Sequence, residues 1–157
     1  MNGEVLAIFT AAVAEAPLQP VPEASLEAGK GLVGDRYYRD TGTGTFSEKL
    51  RGSPDSEITL IEAEEIERFN ADFGLTLGLG APRRNIVTRN IRLNDLVGRR
   101  FNVGQVVLEG IRLCEPCAHL AKIVSPEVLP GLVHRAGLRA CVVTGGTVRQ
   151  GDAIVAT

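Results

Sequence analysis

A mainly β, mixed α/β fold is predicted by three features of this sequence. Short runs of β-branched and apolar residues recur from residue 58 to residue 156, separated by Gly or Asn turns. Helical periodicity is confined to two insertions, 62–73 and 118–133. The strands are short, sequential and compatible with antiparallel pairing. That order argues for a β-barrel-like core with a few short peripheral helices, and against a doubly wound α/β sheet. With 157 residues, 44% of them apolar, the chain is long enough for one proper core and too apolar for disorder.

Residues 4–13 are apolar and compatible with a first strand. Pro17, Pro20 and Pro22 then enforce an irregular connection. Gly29-Lys30-Gly31-Leu32-Val33-Gly34 matches the dinucleotide pattern G-x-G-x-x-G. The flanks supply neither the preceding buried strand nor the following helix that pyrophosphate binding needs, so a glycine turn is the better reading. The 40–47 stretch is a polar loop of hydroxyls and glycines, able to wrap an oxyanion or simply to lie at the surface.

Ile58-Thr59-Leu60-Ile61 is a strand that passes into a helix over 62–73. Ile66, Phe69 and Phe73 share one face of that helix, acidic residues crowd its first turn, and Gly74 stops it. The acids Glu62, Glu64 and Glu65 read as a helix face and not as a metal cluster. A basic opening, Arg83-Arg84-Asn85, leads into the β-branched Ile86-Val87-Thr88. Residues 94–98 make a turn, and strands follow at 99–103 and 105–112. A short helix is expected over 126–133, with Pro130 a weak point. Three strands joined by tight turns close the chain at 138–144, 147–150 and 153–156.

The chemistry gathers at Leu113-Cys114-Glu115-Pro116-Cys117-Ala118-His119, which follows the 105–112 strand and precedes an amphipathic segment, 118–124. A thiol between a strand end and a helix start is stabilised as thiolate, the form that attacks electrophiles and binds soft metals. Zinc is not expected, because a lone C-x-x-C leaves too few further ligands. Cys141, in the run Ala140-Cys141-Val142-Val143, reads as a small core residue. A dithiol redox role would make Cys114 the attacking thiol, although the βαβ setting usual for that motif is not evident. Arg83 and Arg84 present planar donor forks suited to phosphate, and Asn85 adds a donor and an acceptor.

Residues 1–80 carry a balance of −8 and residues 81–157 one of +6, within a net charge of −2. The asymmetry reads either as two solvated faces or as an anion site built from the second half. Nucleic acid is not an expected partner, with 4% aromatic residues and no long basic run. No apolar run is long enough to span a bilayer, and no signal peptide is evident. A cytoplasmic protein with reduced thiols is expected.

Taken in order, these motifs resemble the stand-alone MOSC domain, named for the C-terminal domain of molybdenum cofactor sulfurase. The resemblance runs through Gly31-Leu32-Val33-Gly34-Asp35-Arg36, Ile58-Thr59-Leu60-Ile61, Arg83-Arg84-Asn85-Ile86-Val87, Leu96-Val97-Gly98, Val103-Gly104 and Cys114-Glu115-Pro116-Cys117. It closes with Gly137-Leu138-Arg139-Ala140, Gly145-Gly146 and Gly151-Asp152.

The resemblance implies one MOSC domain over residues 1–157, folded as a mixed β-barrel with peripheral helices. It implies Cys117 as the key cysteine. In relatives of the mitochondrial amidoxime-reducing component, that thiolate binds the molybdenum of a pterin cofactor, and the enzymes reduce N-hydroxylated compounds. In an alternative family role, the same cysteine accepts persulfide sulfur from a pyridoxal-phosphate-dependent cysteine desulfurase. By the same matching, Arg36, Arg83 and Asn85, with Arg84 adjacent, would contact the pterin and its phosphate.

The sequence shows no ferredoxin-type cysteine set and no flavin motif, so electrons would come from a donor protein. The N-terminal β-barrel region that accompanies the domain in the larger reductases has no counterpart in this sequence. The 41–47 loop or a second subunit is expected to complete the pocket.

Overall fold

The computed structural model describes residues 2–13, 16–38, 57–116, 121–122, 124 and 126–157. Cys117, His119 and the 41–47 loop lie outside the described residues, as does most of the 118–124 segment. The described strands are β1 (Gly3–Thr10), β2 (Gln19–Val21), β3 (Glu23–Glu27), β4 (Gly31–Leu32), β5 (Ile58–Glu62), β6 (Ile86–Arg89), β7 (Arg100–Val103), β8 (Val106–Leu113), β9 (Leu138–Thr144), β10 (Gly146–Arg149) and β11 (Ala153–Ala156). The helices are α1 (Ala63–Phe73) and the short α2 (Val128–Gly131), with a 3-10 turn at Leu93–Leu96.

Seven strands close into a barrel in the order β11-β7-β8-β9-β5-β6-β1, and β1 returns to β11 through Gly3 and Glu4. Alternation fills it: inward residues such as Val5, Ile58, Leu60, Ile86, Phe101, Leu108, Leu138 and Ile154 form one cluster. The separate sheet β10-β3-β4 adds Leu26, Leu32 and Val148 to the same cluster. Its close approach demands Gly31, whose φ is 113° and where a Cβ would strike the Glu57 carbonyl.

Four expectations are corrected. The proline-rich connection is not wholly irregular, because β2 pairs with β1 and sets Pro20 opposite Phe9. An edge strand tolerates a residue without an N–H. The sheet is not purely antiparallel: β5 and β6 pair in parallel, with α1 in the crossover between them. The three C-terminal strands do not pair with one another as hairpins. β9 joins β8 and β5, β10 joins β3, and β11 joins β7 and β1. The expected helix over 126–133 shrinks to four residues that include Pro130. In each case local pattern identifies the element, while the partner is chosen by which face needs cover.

Helix α1 forms where the 3.6-residue period predicts it. Ala63, Ile66 and Phe69 are buried, and Ile66 packs on Ile61 and Val87 from the outer faces of β5 and β6. Gly74, left-handed at φ 65°, donates its N–H to the Asn70 carbonyl and ends the helix. No helix among the described residues is long and apolar enough to cross a membrane.

Candidate functional site

The site is assembled where β8 ends and β6 begins. Beyond Leu113, Cys114 donates its backbone N–H to the Gly137 carbonyl at 2.7 Å. Arg84, just before β6, donates Nε to the neighbouring Ala136 carbonyl at 2.9 Å. Two adjacent carbonyls therefore fix the cysteine segment and the basic segment to the same short stretch. Gly137 makes this possible: at φ 113° a Cβ there would overlap the Leu60 carbonyl of β5.

Asn85 is fully buried and tied in on every side. Its Oδ1 accepts from the Thr59 backbone N–H at 3.1 Å and from the Thr59 hydroxyl at 3.2 Å, and its Nδ2 donates to the Phe9 carbonyl at 3.2 Å. It acts here as a cross-link between β5, β6 and β1. Arg36 is 3% exposed. Its Nη1 meets Asp35 Oδ1 at 3.2 Å, its Nη2 donates to the Arg83 carbonyl at 3.0 Å, and its guanidinium lies 4.6 Å from the centre of the Tyr37 ring. Asp35 also accepts the N–H groups of Ala11 and Tyr37. Arg83 holds a left-handed backbone, φ 64°, unusual for a residue with a Cβ. It lines a cleft of about 310 Å³ with Leu77, Gly80, Ala81 and Val124.

The four sequence-predicted binding residues thus come together with the cysteine segment at one end of the barrel. Arg36, Arg84 and Asn85 are engaged in building its wall. Cys117, expected to carry the chemistry, lies outside the described residues. Cys114 is 1% exposed, and an attacking thiol needs access, so its burial weighs against Cys114 in that role. Glu115 accepts from the backbone N–H of His134 at 2.6 Å and meets His134 Nδ1 at 2.6 Å, pinning a turn in which His134 is itself left-handed at φ 58°.

Cys141 is not the core residue that its sequence context suggests. Ala140 and Val142 face the barrel interior, and Cys141 points outward opposite Glu109. Burial, reinforced by the negative charges of Glu57 and Glu109, raises its thiol pKa and keeps it protonated and unreactive. Among the described residues no three His, Cys, Asp or Glu side chains form a metal-binding group.

Sequence reasoning passes over two residues as site candidates, Arg112 and Arg139. The ladders set Arg139 of β9 opposite Arg112 of β8 on one side and Thr59 of β5 on the other. With Asn85 bonded to Thr59, a polar row crosses four adjacent strands on the outside of the barrel. The available signal was parity: in a strand where Leu138, Ala140 and Val142 are apolar and buried, Arg139 must face out beside its neighbours.

Part of the charge asymmetry of the sequence is spent elsewhere. Arg89 pairs with Glu67, Arg135 with Glu65, and Arg149 with Glu23, each joining the basic half to the acidic half. Asp35, buried beside the site, is occupied by Arg36 and by the backbone N–H groups of Ala11 and Tyr37.

Comparison with known proteins places this geometry. The family model described as MOSC domain matches residues 47–155. Among solved structures, the YuaD protein from Bacillus subtilis superposes with a TM-score of 0.81 at 15% identity, over 98% of this chain and 94% of that one. YiiM from Geobacillus stearothermophilus follows at a TM-score of 0.75 and 14% identity, covering 99% and 75% of the two chains. YiiM from Escherichia coli gives 0.68 at 18% identity, covering 100% and 70%. At these identities the likeness is one of fold. A search of curated proteins by sequence gives no match.

Proposed function

The chain belongs to the MOSC domain family, which is associated with molybdenum-cofactor binding, and from that premise we propose that it binds a molybdenum–pterin cofactor through Cys117 and reduces N-hydroxylated or similar N-oxygenated compounds. One observation carries the reading. The adjacent carbonyls of Ala136 and Gly137 hold Arg84 and Cys114, so the segment leading to Cys117 and the basic entry to β6 share one end of the barrel.

The donor set fits such a group. Arg83 and Arg84 lie beside the buried Arg36, which holds the Arg83 carbonyl, and guanidinium forks suit a phosphate-bearing anion. Arg36 holds the Arg83 carbonyl, and so fixes the left-handed turn from which Arg83 and Arg84 extend. Asn85 locks the strand behind them to Thr59 and Phe9. Cys117 would supply the soft thiolate that a high-valent metal–sulfur centre favours. When bound, the cofactor would supply two-electron oxygen-atom chemistry, converting an N–OH group to N–H and water with two electrons and two protons. The electrons would come from a separate donor protein.

Metal and pterin analysis of protein made in a cofactor-competent host tests the reading. Stoichiometric molybdenum that falls to background in Cys117→Ser and persists in Cys114→Ser is the expected result. A clean preparation that neither contains nor takes up molybdenum or pterin would overturn it. If such a preparation instead gained one sulfur at Cys117 on incubation with a cysteine desulfurase, the protein would be a sulfur carrier.

A further inference from the structure

Reduction of an N-hydroxylated compound consumes two protons, and the barrel end that holds the cysteine segment has few groups able to deliver one. Its arginines cannot, because a guanidinium does not give up its proton. Asp35 is occupied by Arg36 and two backbone N–H groups. His134 is the one histidine among the described residues, and imidazole is the side chain that gains and gives a proton near neutrality.

The fold holds this histidine at three points. Its backbone N–H donates to Glu115 Oε1 at 2.6 Å, its Nδ1 meets Glu115 Oε2 at 2.6 Å, and its carbonyl accepts from Asn94 Nδ2 at 2.9 Å. The backbone is left-handed there, φ 58°, which costs a residue with a Cβ free energy. An exposed pair of this kind adds little to stability, so bracing alone does not account for the strain. The same 134–137 stretch carries the carbonyls that hold Arg84 and Cys114. Glu115 stands two residues before Cys117, so their Cα atoms are at most about 7 Å apart.

A carboxylate only accepts, so Nδ1 is the protonated nitrogen of this pair and Nε2 is the one that can exchange a proton with a ligand. Arg135, next in the chain, turns instead to Glu65 at 3.7 Å. The His134 side chain is 71% exposed, open to recharging from solvent.

We propose that His134, oriented by Glu115, is the proton donor of the reduction assigned above, a role that rests on that functional reading. From the imidazolium, Nε2 gives its proton to the hydroxyl oxygen of R–NH–OH. The N–O bond breaks, the oxygen leaves as water, and the nitrogen takes the electron pair that the donor protein supplies. One solvent proton completes R–NH2, and another restores the imidazolium. Glu115 touches no reacting atom and is a positioning residue.

Phenylhydroxylamine reduction by the molybdenum-loaded full chain, with reduced methyl viologen as the electron source, reads the donor. His134→Gln should lower kcat about a hundredfold, with KM within about twofold and molybdenum content as in the wild type. Glu115→Gln should lose about tenfold, because an amide oxygen still accepts from Nδ1 but carries no charge. His134→Gly suits the left-handed backbone, and added imidazole should restore part of its lost rate, which a purely structural role would not allow. A further readout needs no cofactor. In the nitrogen NMR spectrum of the cofactor-free chain, the neutral His134 ring should carry its proton on Nδ1, and Glu115→Ala should abolish that preference.

Wild-type kcat in His134→Gln, a lost rate that imidazole leaves unrestored, or a ring protonated on Nε2 would overturn the donor. So would loss of molybdenum in His134→Gln, which would make the residue part of the cofactor's seat. Molybdenum missing from the wild-type chain is the separate result that sinks the functional reading, and the donor role falls with it.

Discussion

Two clusters of like charge sit on the outside of this barrel, and they are built differently. At the start of α1, Glu62, Glu64 and Glu65 line a cleft of about 370 Å³. Glu62 accepts the Leu93 N–H at 3.2 Å and Glu64 the Asn90 N–H at 2.8 Å, while Glu65 lies within ion-pair range of Arg68 and Arg135. Single oxygens of Glu64 and Glu65 lack hydrogen bonds, but their carboxylates are otherwise engaged. At the start of β9, Arg139 has a buried Nε with no hydrogen-bond partner among the described residues, and Arg112 of β8 stands opposite. Clustering alone does not distinguish the two regions. The acidic cluster is fastening, which ties α1 to the 90–93 turn, whereas the basic row has a donor left over.

The contrast can be broken by substitution, beginning with the largest effect. Gly137→Ala should cost roughly 4 kcal/mol or abolish folding, since a Cβ would overlap the Leu60 carbonyl at a φ of 113°. Urea denaturation measures this, and a near-neutral result would mean that the stretch holding Arg84 and Cys114 is pliable. Asn85→Ala comes next, at about 3 kcal/mol, because it leaves the Thr59 N–H and the Phe9 carbonyl unpaired in the interior. The same titration checks it. A loss below about 1 kcal/mol would show that the cross-link is dispensable and Asn85 available for a ligand.

A smaller, pH-dependent effect is expected at Glu62. Burial raises its pKa above 4.5, opposed by its hydrogen bond from Leu93 and by the charge of Arg92. The folded state then holds this proton more tightly than the unfolded state, so stability falls as pH rises from 4.5 through the folded pKa. Glu62→Gln keeps an acceptor for Leu93 and removes the titration. Its stability relative to wild type should therefore increase with pH across that window, as read by denaturation at several pH values. A parallel pair of curves would mean that Glu62 is not desolvated.

The smallest effect is predicted for Glu67. Its hydrogen bond from Arg89 lowers its pKa, so any contribution is present above the usual carboxylate range and lost as pH falls. The pair is exposed, and Glu67→Gln should move Tm only at low salt. A shift that persists in high salt would mark this ion pair as more than a surface contact.

Much of the barrel is legible in linear order. The 3.6-residue spacing of Ile66 and Phe69 and the stop at Gly74 define α1 to within a residue. Period-two alternation finds β7, β8, β9 and β11. These are properties of a residue and its near neighbours, which the backbone expresses wherever it lies. Cys114 and Cys117 are equally conspicuous, because two thiols at a strand end are a local pattern.

Pairing was not legible. Thr147 could sit opposite strand β9 or opposite Ser25, and it sits opposite Ser25 because Val148 must enter the same interior as Leu26. Asn85 looks like a ligand in the sequence and is a cross-link in the fold, since only the barrel brings Thr59 and Phe9 to its amide. Arg112 and Arg139 are unremarkable 27 positions apart, and the β8–β9 register makes them neighbours. The sequence by itself determined which segments are strands and helices and which atoms are chemically able. Tertiary structure decided which of those atoms were consumed in holding the barrel and which were left over, because a hydrogen bond depends on who arrives within about 3 Å.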